Sequence, residues 1–195
     1  MSMAVTSTIA VGCGKGKAAD APLPSSSLAS PAALDAATAT DDDGNTPMDA
    51  RESAQWAAAR DGDPEESMRL VDLVGCAGLY DRAASAELRP TALLAAQYCP
   101  DFSELPWLAQ VGTEGSDVDA RAALGSAVEL AARPRRSVDP EDADELHAGC
   151  AGLLSIARAT ERPRERRVLA IRALRMLVEY GCVAKSDIPT DLDAR

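Results

Sequence analysis

Aromatic side chains are scarce in this 195-residue chain: they make up 3 per cent of it, with Phe once, Trp twice and Tyr three times. A core short of large rings has to be built from helices that approach closely, because small side chains fill little space between distant elements. Sustained alternation of β-branched and polar residues is also missing, which excludes an extensive sheet and predicts an all-α fold. The longest apolar run near the start, residues 1–12, is too short to cross a bilayer as a helix. Basic charge is in deficit, and the net charge of −11 argues against a nucleic-acid partner, which needs a cationic face. Histidine occurs once, as His147. Asp144-Glu145-Leu146-His147 puts a carboxylate one turn before it, but a di-iron or zinc centre needs more ligands at short spacing. A metal-binding or enzymatic domain using His147, with Cys150 as a conceivable nucleophile three residues on, is therefore the alternative reading. The main reading has no catalytic residue, no metal and no cofactor.

What the chain does have is a repetition. Gly75-Cys76-Ala77-Gly78-Leu79 recurs unchanged as Gly149-Cys150-Ala151-Gly152-Leu153. Asp63-Pro64-Glu65 precedes the first copy and Asp139-Pro140-Glu141 the second; a Pro follows each, at Pro90 and Pro163. Gln97-Tyr98-Cys99 closes the first unit and Glu179-Tyr180-Gly181-Cys182 the second. Asp followed by Pro is a helix N-cap and first helical position, and the later Pro marks a second helix start, so each unit reads as a helical hairpin. The stripes Leu146, Cys150, Leu153, Leu154, Ala157 and Leu169, Ala173, Leu177, Tyr180 have helical spacing. Glycine inside a helix costs about 1 kcal/mol relative to Ala. Gly75, Gly78, Gly149 and Gly152 are therefore expected to form low walls against which another helix lies, with Gly75 as a helix-ending cap the competing reading in the first copy.

Between the units, 101–132 reads as a further helix pair. Asp101 to Glu104 has a capping-box pattern, 112–116 a turn, and 117–132 a stripe of Ala120, Leu124, Ala127 and Ala131. A first helix is expected from about Pro47 to Arg60 with Trp56 and the alanines facing the bundle, and 183–195 reads as a loose C-terminal tail. The arginines at 162, 164, 166, 167, 172 and 175 are interleaved with Glu161, Glu165 and Glu179, which reads as a solvated helix face.

Four cysteines lie in the repeated units and Cys13 stands apart. That division suggests an exported protein with paired thiols and one modified thiol. Cys76 and Cys99 are nearly equidistant from the first hairpin turn, which suits a bridge. Cys182 overshoots the level of Cys150 by roughly 15 Å at 1.5 Å per residue, so that bridge requires the chain to fold back after Gly181.

Ala10-Val11-Gly12-Cys13 resembles a bacterial lipobox, after which a lipoprotein is cleaved and its new N-terminal Cys lipidated. The resemblance implies a signal-like segment at 1–12, lipidation at Cys13, and a membrane-anchored protein of the cell envelope facing the periplasm or exterior. Ala10 stands where that family more often has Leu, and residues 1–12 hold no Lys or Arg; a start assigned too far downstream would account for the missing charge. Residues 14–46, rich in Ala, Ser, Pro, Thr and Asp, read as a disordered tether spanning about 30 Å. A phosphate loop at Gly12 to Lys17 is excluded by spacing: three residues separate Gly12 from Gly16, and Ala18 follows Lys17. The domain at 47–182, by Val118-Asp119-Ala120-Arg121-Ala122-Ala123-Leu124-Gly125 and Leu169-Ala170-Ile171-Arg172-Ala173-Leu174, resembles bacterial HEAT-like repeats. That resemblance implies antiparallel hairpins stacked as a short array, with an irregular bundle as the other arrangement, and a protein-binding role. Without lipidation, the same domain reads as a cytosolic helical scaffold.

Overall fold

A computed structural model describes residues 48–134 and 143–192. The signal-like segment, Cys13, the tether, Thr46-Pro47 and Asp139-Pro140-Glu141 lie outside the described residues. Within them the chain is all-α, with seven α-helices and no strand. These are α1 (Ala50–Ala59), α2 (Pro64–Arg82), α3 (Arg89–Ala95), α4 (Leu105–Glu114), α5 (Asp117–Ala132), α6 (Ala143–Arg158) and α7 (Arg164–Leu177). Single 3-10 turns extend α3 over Ala96–Tyr98 and α7 over Val178–Tyr180.

The helix starts follow local chemistry. Asp63 accepts from the N–H groups of Glu65 and Glu66 ahead of Pro64, and Ser116 accepts from that of Asp119. The first helix starts later than its sequence suggests: Asp49 is its cap, 2.7 Å from the Glu52 N–H. Trp56 and Ala59 are its buried residues, while Ala54, Ala57 and Ala58 face outward. A capping box at Asp101 does not form. The Asp101 carboxylate turns onto the N–H and hydroxyl of Ser103, and the helix begins only at Leu105. Gly112, expected in a turn, is inside α4.

The helices pair in sequence and the pairs stack. Antiparallel hairpins α2–α3, α4–α5 and α6–α7 form the framework, with α1 against α2 and α3. One layer holds α3, α5 and α7 side by side, and α4 packs along α6 in the other. The register across these seams is parallel. On α4, Leu105, Ala109 and Gly112 face Gly149, Gly152 and Ile156 of α6, so both chains advance together. In the other layer, the starts of α5 and α7 meet through Arg121–Glu165 and Arg166–Asp117 ion pairs. The ends of α3, α5 and α7 meet at Arg133. Its guanidinium lies 4.5 Å over the Tyr98 ring and its carbonyl accepts from the Tyr180 hydroxyl at 3.3 Å. Tyr98 and Tyr180 are corresponding residues of the two repeated units, so equivalent positions sit at the same end of the stack.

Leu70, Leu79, Leu93, Leu105, Leu108, Leu124, Leu153 and Leu174 are fully buried, with alanine filling the space between helices. Residues 183–192 are not loose. Gly181 takes φ +76° and reverses the chain, Val183 and Ile188 are buried, and Arg158 donates to the carbonyl of Asp187. Asp191 pairs with Arg167 at 2.6 Å. The returning segment thus covers the last hairpin from beyond its open end to its turn.

Candidate functional site

Both cysteine pairs form. Cys76 is bonded to Cys99 and Cys150 to Cys182, with Cα atoms 5.9 and 6.2 Å apart. The reversal at Gly181 brings Cys182 back to the level of Cys150. With all four thiols engaged, Cys150 is no nucleophile. His147 is exposed, its Nδ1 facing the carbonyl of Ala143 on its own helix. Among the described residues, no group of three or more His, Cys, Asp or Glu is placed to hold a metal ion.

The two identical pentapeptides do different things. In α6, a Cβ on Gly149 would lie 2.5 Å from Leu105 Cγ, and one on Gly152 2.8 Å from the Cβ of Ala109. These two glycines are the expected contact wall. Gly112 of α4 completes it from the other side, its missing Cβ being 2.7 Å from Leu124 and 3.2 Å from Ile156. The sequence reading missed Gly112, although a glycine inside a continuous apolar helix was the available signal. In α2 the contact expectation fails for both residues. Gly75 has φ +71° and ψ 168°, outside the helical region, and a Cβ there would meet nothing within 4 Å. It breaks α2 into two segments. A Cβ on Gly78 would meet only Val74, on the other side of the break, at 3.1 Å.

The arginine-rich segment is only in part the solvated face expected of it, with Arg164, Arg172 and Arg175 exposed. Arg166 donates to the carbonyls of Gly112 and Gly115 and pairs with Asp117, and Arg162 donates to the carbonyl of Thr113. Together they satisfy orphan carbonyls at the negative end of α4. Arg167 is buried and donates to the Ala157 carbonyl.

With α2 broken at Gly75, no extended seam joins it to α4. A cleft of about 460 Å³ lies there, with Tyr80, Asp81, Trp107, Val111, Glu114 and Asp119 among its lining residues. The Tyr80 and Trp107 rings meet edge to face at 5.8 Å, and Tyr80 is 53 per cent exposed. Among the described residues, the one cationic side chain lining the cleft is Arg89, which turns its guanidinium onto the carbonyls of Ala83 and Ala84. Glu104, directly before α4, is a buried acid. Desolvation raises its pKa to about 7, helped by the charges of Asp101 and then Asp81.

No protein-family model matches the chain, and none of the curated proteins or solved structures matches it significantly. Among the described residues, no helix is long and apolar enough to cross a membrane.

Proposed function

We propose that this chain is a protein-interaction or scaffold module of the bacterial cell envelope, without catalytic activity, held to the membrane by a lipid on Cys13. The observation carrying the reading is the stacking of antiparallel hairpins, the first and the last of them tied by a disulfide. Stacked hairpins expose broad surfaces suited to proteins, which is an argument from architecture. It is also the ground for keeping the HEAT-like comparison as part of this proposal. Two disulfides suit an oxidising compartment and disfavour the cytosolic scaffold. The excess negative charge supports a protein partner over nucleic acid.

Mass spectrometry of the mature chain from its native host tests the anchor. The expected product begins at a lipidated Cys13; a chain carrying an unmodified Cys13 rules out the lipid-anchored reading.

A further inference from the structure

We propose that the α2–α4 cleft is a docking site for a positively charged segment of a protein partner, one that inserts an Arg or Lys side chain against Tyr80 and Trp107. The inference rests on the interaction-module reading above and deepens it by giving the partner's chemistry.

Charge complementarity and ring chemistry point the same way. Asp81, Glu114 and Asp119 line the cleft, and neither Asp81 nor Asp119 has an ion-pair partner among the described residues. Arg89 leaves this negative charge only partly balanced, since its donors serve the carbonyls of Ala83 and Ala84 just beyond α2. The upward pull of Asp81 on the Glu104 pKa registers the same local excess. The cleft also offers aromatic surface, and a cation held close to Tyr or Trp rings is attracted by their quadrupoles. The Tyr80 hydroxyl and the Trp107 indole N–H have no hydrogen-bond partner among the described residues, so both are available to a peptide backbone. Interaction hot spots are enriched in Tyr, Trp and Arg, with a polar rim around them. An acidic or purely apolar segment would leave Asp81 and Asp119 desolvated and unpaired.

The test uses the oxidised full chain and two synthetic peptides. One is acetyl-(Gly-Arg)3-amide; the other replaces each Arg by citrulline, which has nearly the same shape without the charge. The charged peptide is expected to bind saturably and to change Trp107 fluorescence, while the buried Trp56 stays silent. Tyr80→Ser and Asp81→Asn should each weaken binding about fivefold. The paired control Asp144→Asn with Glu145→Gln, at the exposed start of α6, should weaken it by less than about twofold. Equal binding of the citrulline peptide overturns the proposal, as does equal weakening by the control, which would indicate generic attraction to an acidic chain. Thermal melts confirm folding of each variant, and Asp81→Asn alone decides if Tyr80→Ser unfolds.

Photocrosslinkers placed in the native host at Tyr80 and at the exposed Met68 and Val118 separate this proposal from the broader reading. A crosslink at Tyr80 that the charged peptide displaces supports the cleft. Crosslinks confined to Met68 or Val118 overturn the cleft and leave the interaction module standing. Crosslinks at none of the three positions overturn both.

Discussion

The α4–α6 junction and the α2–α4 junction involve the same pentapeptide and reach opposite results. At the first, Gly149 and Gly152 let two helices lie side by side with Leu105 and Ala109 filling the gap. At the second, Gly75 spends its freedom on a backbone break, and a half-open cleft with two rings and three acids takes the place of a seam. The comparison teaches that a small-residue motif permits close approach without enforcing it. The backbone at the glycine and the residue facing it decide: Gly149 stays helical opposite Leu105, whereas Gly75 takes a positive φ with nothing within 4 Å of where its Cβ would be.

The largest expected effect concerns the hairpins themselves. Replacing both cysteines of either bridge by Ala should reduce stability by about 3 to 4 kcal/mol. The closed loops differ modestly, with sequence separations of 32 and 23, so the two losses should agree within about 1 kcal/mol. Denaturant titration checks this. A large inequality would mean that the hairpins, and not only their junctions, have diverged.

Glu104 marks the open junction. Its folded pKa of about 7 lies above the ordinary value of 4.5, so the folded state binds the extra proton between these values. Its contribution to stability is therefore fully present below about pH 4.5 and is lost as pH rises through 7. Glu104→Gln should flatten that slope and raise stability at pH 8 by up to about 3 kcal/mol. An unchanged slope in chemical denaturation across this window would remove Glu104 as its source.

Gly149→Ala should destabilise by about 2 kcal/mol, overpacking against Leu105 outweighing the gain in helix propensity. Gly75→Ala should cost about 1.5 kcal/mol through backbone strain at a conformation nearly reserved for glycine. Gly78→Ala, which would meet only Val74 at 3.1 Å across the break, should change stability by less than about 1 kcal/mol, helix propensity and the tight contact offsetting each other. Melting temperatures of the three variants test the contrast, and a Gly78 loss matching that of Gly149 would break it.

Local chemistry was the legible part of this molecule. The bounds of α5 follow from Ser116 and the stripe through Ala131, and the repeated landmarks disclosed two hairpins and both cysteine pairs. The division of labour among the glycines was hidden because the two pentapeptides are identical. What separates them is a dihedral angle at Gly75 and a Leu105 more than forty positions from Gly149. The cleft was equally hidden, since Tyr80 and Trp107 belong to different hairpins. Arg166 read as a surface charge because its acceptors are carbonyls at the end of another helix, which no side-chain pattern records. The final segment read as loose because Val183 and Ile188 are too sparse to make a stripe, and its order comes from the disulfide and two arginines.

The meeting of Tyr98, Arg133 and Tyr180 acts as a binding along one edge of the stack. A book fastened along its spine keeps its leaves in order, and here the first hairpin is held along α5 through α3 as well as at that edge. A side chain exchanged at any one of these three positions therefore touches all three hairpins at once.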